Sequence, residues 1–233
     1  YTAEGMLFAT HGGYDPKLNA LDNSGQLYRF RDEQWKNIEF PQVEDFTDLV
    51  TDPSVETRIY VGSWGDGLHE VTDLNDLRTF NETNSPLQTA NGKGVKVHYL
   101  AMDSEENLWM VNQETTHPIV LKTADDSWVK HEYAPLSNRR IGSLIALENG
   151  QLWGFLPQNK SIFVIDDNDT PLQTGDDFVK VERPRDNNQN QYPYDEDDIY
   201  AIAEDQQGYV WIATEGGVVV ETNPSAFFDA ETF

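Results

Sequence analysis

Five short apolar runs align along the chain, each followed by a polar or glycine-bearing turn. They are Met6-Leu7-Phe8-Ala9-Thr10, Ile59-Tyr60-Val61-Gly62-Ser63, Leu108-Trp109-Met110-Val111-Asn112, Leu152-Trp153-Gly154-Phe155-Leu156 and Val210-Trp211-Ile212-Ala213-Thr214. Their second positions (7, 60, 109, 153 and 211) are separated by 53, 49, 44 and 58 residues. Repeats of this period are one sheet unit each, and the period is that of propeller blades.

Each later run follows another apolar stretch that ends in an acid: Leu49 to Asp52, Leu100 to Asp103, Leu144 to Glu148 and Ala201 to Asp205. These stretches are too short and too continuously apolar for amphipathic helices. Turn-formers such as Asn149-Gly150 and Gln206-Gln207-Gly208 come next, so the pattern predicts an inner strand, a tight turn and a second strand. A further turn leads into a third strand at Leu27–Phe30, Leu68–Val71, Ile119–Lys122, Ile162–Ile165 and Val218–Glu221. It is glycine-rich in three copies, Gly12-Gly13, Gly65-Asp66-Gly67 and Gly216-Gly217. A fourth strand is expected with Trp35, Phe80, Trp128 or Phe178 near its start.

The predicted fold is all-β, a propeller of four-stranded antiparallel blades with about five repeats in this chain. The repeats fall roughly at 1–44, 45–94, 95–137, 138–194 and 195–233 of one single region, 1–233. Pro184 to Asp198 reads as an extended loop between blades. Tyr60, Trp109, Trp153 and Trp211 are expected to fill the wedge between neighbouring sheets. There a buried aromatic side chain stabilises by about 1.5–3 kcal/mol. The first and last units are expected to be incomplete. They either complement each other or belong to a larger, seven-bladed ring, and the apolar residues Phe227, Phe228 and Phe233 favour the larger ring.

Composition narrows the function. Of 233 residues, 41 are Asp or Glu and 16 are Lys or Arg, a formal charge of −25 that repels phosphate backbones and anionic membranes. Nucleic acid is therefore not an expected partner. An aromatic content of 12% separates the chain from acidic disordered sequences. No run is long and apolar enough to cross a bilayer, and the chain, which starts at Tyr1, reads as a mature protein or an excerpt. The absence of cysteine rules out disulfides and thiolate metal sites but does not locate the protein.

An acid, a turn, an aromatic, a small residue with Thr or Ser, then Gly-Gly or Gly-Asp-Gly: this order resembles the two-component-regulator propeller repeat of Bacteroidetes sensor proteins. Three stretches are similar, more narrowly, to the propeller region of PorZ-like components of the type IX secretion system. They are Gly62-Ser63-Trp64-Gly65-Asp66-Gly67-Leu68 with Asn84-Ser85-Pro86-Leu87, Gly12-Gly13-Tyr14-Asp15 before Trp35, and Val218-Val219-Val220 before Asn223-Pro224-Ser225. The resemblance implies a non-catalytic cell-surface scaffold, associated with the outer membrane, that helps export and anchor cargo. It implies a sortase-like protease and outer-membrane barrels as partners, and anionic lipopolysaccharide bound through a domain this chain does not contain. The alternative is a periplasmic ligand-sensing propeller of a hybrid two-component regulator. The third and fourth repeats depart from the pattern, with Gln113 to His117 and Pro157 to Lys160 in place of the glycine turn.

No catalytic constellation stands out. The five histidines (11, 69, 98, 117 and 131) lack paired metal-ligand spacing and are expected at surface or edge positions. No nucleophile elbow, phosphate loop or dinucleotide fingerprint is present, so no cofactor is expected. Asp166-Asp167-Asn168-Asp169 has oxygen-rich calcium-loop spacing but lacks the loop glycine and distal glutamate. Asp195-Glu196-Asp197-Asp198 is expected to be a solvated loop. Candidate partner contacts are the turn aromatics Tyr14, Trp64 and Tyr209.

Overall fold

A computed structural model describes residues 5–15, 17–183 and 198–228. Among them the strands follow one another as antiparallel meanders. Unit one holds β1 (Leu7–His11), β2 (Ser24–Arg31) and β3 (Gln34–Glu44). Unit two holds β4 (Phe46–Thr51), β5 (Arg58–Gly65), β6 (Leu68–Thr72) and β7 (Asp76–Phe80). Unit three holds β8 (Val95–Met102), β9 (Leu108–Asn112), β10 (Ile119–Lys122) and β11 (Trp128–His131). Unit four holds β12 (Ser143–Ala146), β13 (Leu152–Leu156), β14 (Ser161–Asp166) and β15 (Phe178–Glu182). Unit five holds β16 (Ile199–Glu204), β17 (Val210–Thr214) and β18 (Gly217–Glu221). Three units are thus complete four-stranded blades, and Trp64↔Lys96 and Gly65↔Val95 sew β5 to β8 between the second and third.

The cores lie between the sheets. Because successive strand residues point to opposite faces, Trp109 and Val111 pack toward Leu144 and Phe163 of unit four. Leu108 and Met110 of the same strand pack toward Tyr60 and Leu68 of unit two. The middle strands β9 and β13 are consequently buried along their whole length. Unit one meets unit two through Phe8, Leu27, Phe46 and Ile59, and unit four meets unit five through Trp153, Ile202 and Ile212.

Four expectations need correction. Trp211 is 43% exposed, whereas Tyr60, Trp109 and Trp153 are 4%, 1% and 0% exposed. A wedge needs a second sheet, and no described strand lies over that face of unit five. In unit one, Phe8 rather than Leu7 is the counterpart of Tyr60. Phe8↔Arg29 and Thr10↔Leu27 stand in the register that Tyr60↔Glu70 and Gly62↔Leu68 hold in unit two, and a one-residue slip exchanges the two faces of a strand. Phe80 closes β7 instead of opening it, and its ring lies 5.2 Å from that of Trp128. His69 and His131 are fully buried, not at the surface. The missing glycines of units three and four are replaced by Glu114 and Lys160 in the left-handed region, at φ 57° and 53°.

Candidate functional site

The acid of the repeat motif is a turn clamp. Asp103 accepts the backbone N–H of Glu105 (2.9 Å) and Asn107 (2.8 Å), and its Oδ2 accepts the indole N–H of Trp109 (2.9 Å). Asp205 repeats this with the N–H groups of Gln207 and Tyr209 and the indole of Trp211 at 2.7 Å. These donors hold the Asp205 carboxyl below the usual carboxylate range, the indole hydrogen bond foremost. In unit four, where Leu147 stands at that position, Gln151 Oε1 accepts the Trp153 indole at 3.1 Å. The six-residue spacing from acid to tryptophan was the sequence signal for this role.

Tyr209 sits on this turn, 38% exposed, at the end of β16. Beside it a cleft of about 460 Å³ is lined by Glu148, Glu204, Gly208, Asn223 and Ser225, which places part of the Asn-Pro-Ser stretch. Glu204 accepts the Glu148 N–H at 3.3 Å. Its carboxyl is raised above the ordinary range by burial, the Glu148 charge adding to that effect.

Tyr14 and Trp64 belong to the opposite end of the sheets, near the start of β4 and β8. Trp64 is only 4% exposed, so it is packed within the chain rather than presented from its turn. Its indole donates to the Leu18 carbonyl at 3.1 Å, its ring stacks 4.1 Å from that of Tyr14, and Lys96 Nζ lies 4.6 Å above it. The loop carrying Tyr14 is fixed by Asp45, which is 2% exposed and whose carboxylate accepts the N–H groups of Leu21, Asp22 and Asn23 at 2.8–3.1 Å. The His98 ring lies 5.6 Å from Tyr14 and 3.8 Å from Tyr99. Structure therefore joins Tyr14 to Trp64 and sets Tyr209 apart from both.

The inner strands add residues that sequence reasoning missed. Register shifts fall between Phe46 and Leu49, between His98 and Leu100, and between Ile199 and Ala201. Such bulges re-aim side chains. Here they single out Asp48, Tyr99 and Tyr200, each immediately before an expected inner-strand start. Tyr99 takes φ 60°, and Tyr200 is 60% exposed. Asp48 accepts the Leu100 N–H at 2.8 Å, and burial raises its carboxyl. The Tyr99 hydroxyl is raised by burial and by the neighbouring Tyr14. Burial, helped by the Arg140 charge, lowers His98 to about 4, so this imidazole is neutral at pH 7. Its buried Nδ1 has no hydrogen-bond partner.

A second polar cluster lies between units three and four. His131 Nδ1 is 3.1 Å from Asp177 Oδ2, which also accepts the Tyr133 hydroxyl at 2.7 Å. Asp166 and Asp167 of the proposed oxygen-rich loop accept the N–H groups of Asn168 and Asp169. Burial raises Asp167 to about 6. Among the described residues no group of three or more His, Asp or Glu side chains could hold a metal ion. Asp195, Glu196, Asp197 and Phe233 lie outside the described residues. No helix among those residues is long and apolar enough to cross a membrane.

Residues 193–216 match the family model described as two component regulator propeller. The chain is similar to the structure of PorZ, a bacterial surface component of the type IX secretion system of Porphyromonas gingivalis. There the TM-score is 0.85 at 22% identity, covering 96% of this chain and 32% of that one. It is also similar to the extracellular domain of a putative hybrid two component system from B. thetaiotaomicron, with TM-score 0.61 at 18% identity, covering 94% of this chain and 26% of that one. Virginiamycin B lyase from Staphylococcus aureus gives TM-score 0.57 at 14% identity, covering 84% of this chain and 61% of that one. No curated protein sequence matches the chain. The chain spans about a third of the length of the PorZ chain, and at these identities the likeness establishes the fold: a β-propeller, resembling PorZ and the two-component-regulator propellers in architecture.

Proposed function

We propose that the chain is a non-catalytic scaffold of a type IX secretion system, working at the cell surface in association with the outer membrane. The observation that carries this reading is the agreement in sheet arrangement. The TM-score to PorZ is 0.85 over 96% of the chain, against 0.61 for the sensor domain at nearly the same coverage. Agreement over all five units supports a shared frame on which partners dock. In this reading the ring is larger than five units. The end of the sheets holding Tyr14, Tyr99 and Tyr200, or the turn end holding Tyr209, docks a sortase-like protease and outer-membrane barrels, and no reaction is catalysed. Deleting the gene tests it. The expected result is exported cargo held back in the periplasm, and unchanged surface anchoring contradicts it.

The two component regulator propeller match over residues 193–216 favours a second reading, a periplasmic sensor domain. A transmembrane helix and kinase module downstream in the same gene would establish that reading over the first.

A further inference from the structure

The cross-strand row that starts at Phe8 departs from its counterparts in the other units. Behind the inter-sheet aromatic, unit two has Tyr60↔Glu70↔Arg78, unit three Trp109↔Leu121↔Val129 and unit four Trp153↔Val164↔Lys180. Those rows set opposite charges together, or no charge, or one. Unit one has Phe8↔Arg29↔Lys36, which places two cations directly opposite each other on β2 and β3. Like charges in that register repel. The chain carries 41 acids against 16 bases, so an acid is the ordinary neighbour of a base.

Neither cation is compensated. Arg58, Lys96 and Lys122 hold carboxylates at 3.3, 3.1 and 2.5 Å, but no carboxylate lies in ion-pair range of Arg29 or Lys36 among the described residues. An acid was at hand, since Asp32 in the turn between β2 and β3 lies 3.8 Å from Arg31. Arg29 is half-buried, and its Nε is a buried donor without a hydrogen-bond partner. A donor in that state carries the cost of its desolvation. Phe8, 8% exposed, walls the row on one side, while Lys36 is exposed and leaves the other side open to solvent. Arg31 is two residues from Arg29 and therefore on the same face.

We propose that the Arg29–Lys36 row is a binding site for a doubly charged oxyanion, a phosphate or sulfate group. Directly opposed residues have Cβ atoms about 4.5–5.5 Å apart, close enough for one tetrahedral anion to bridge both head groups. The guanidinium fork takes two of its oxygens and the ammonium a third. Two uncompensated positive charges match a dianion, whereas a carboxylate would neutralise only one. The overall charge of −25 repels an extended anionic surface and leaves a small soluble anion as the occupant. The site depends on neither reading of the function given above.

Isothermal titration calorimetry tests it with three probes: inorganic phosphate, glycerol phosphate, and vesicles of phosphatidylcholine containing phosphatidic acid. Ionic strength is held constant with chloride. One saturable site for both soluble probes, with sulfate competing, is the expected result. Binding to the vesicles alone would keep the site and assign it to a lipid headgroup. Arg29→Gln should weaken binding by about tenfold or more, and Arg78→Gln, at the same position of unit two, should leave it unchanged. Lys36→Glu covers the case in which Arg29→Gln fails to fold. It should abolish binding and, by turning a repulsive pair into an attractive one, raise the melting temperature in chloride. No saturable binding of any probe overturns the proposal, as does binding that survives both unit-one substitutions. A melting temperature lowered by Lys36→Glu also overturns it, because the row would then not be a repulsive pair awaiting an anion.

Discussion

Units three and five carry the same instructions and end differently. An acid clamps the turn, an indole donates to it across six residues, and an alanine leaves room beside the ring, yet Trp109 is 1% exposed and Trp211 43%. The local motif therefore sets a conformation, and a neighbouring sheet sets the energy of that conformation.

Trp109→Ala should lower the unfolding free energy by about 3–5 kcal/mol, the cost of a large buried cavity, while Trp211→Ala in this chain should cost under about 1 kcal/mol. Urea unfolding of both variants measures the difference; equal losses would break the comparison. Acid should separate the same regions. His69 and His98, in units two and three, are lowered to about 4 by burial, and unit five holds no histidine. A depressed folded pKa contributes stability that is present above about 6.5 and is lost as pH falls toward 4. Each contribution is on the order of 3 kcal/mol. Asp167, raised to about 6, acts in the opposite sense: its contribution is present below about 4 and is lost as pH rises through 6. Hydrogen exchange at pH 5 should thus show units two and three opening more than at pH 7, with unit five little changed.

The clamps themselves follow. Asp103→Ala strands a buried indole N–H and should cost about 1–3 kcal/mol, whereas water replaces Asp205 at an exposed turn and Asp205→Ala should leave the melting temperature nearly unchanged. Thermal melts of the two variants decide. Smallest is Lys160→Gly, which relieves a left-handed non-glycine residue at φ 53° for the loss of a long, solvent-facing ion pair with Asp198 at 3.9 Å, and should stabilise by under about 1 kcal/mol. Gly67→Ala is its converse and much larger in effect. Gly67 has φ +96°, and an added Cβ would meet the Phe80 carbonyl oxygen at 2.2 Å.

Strand order and the repeat were legible because period-two burial and turn chemistry are local. Burial was not, because it depends on which sheet lies across the wedge. Trp211 and the buried His69 read like their exposed or covered counterparts until the neighbour is known. Phe8 was misplaced by one residue because Leu7 and Phe8 are both apolar, and only the pairing of Phe8 to Arg29 and of Thr10 to Leu27 fixes the face. Tyr14 and Trp64 could be nominated from their turns, but their contact joins residues fifty positions apart. Asp48, Tyr99 and Tyr200 escaped notice since a bulge leaves no mark in hydrophobic periodicity, although each precedes an apolar inner strand.

On the proposed function, this propeller docks envelope proteins rather than sensing a ligand or catalysing a reaction. Affinity isolation of the tagged native protein from outer membranes tests it most directly. A sortase-like protease is expected to be recovered together with outer-membrane barrels; recovery of the protein in the inner-membrane fraction with an attached kinase module, and neither of those partners, would contradict the docking role.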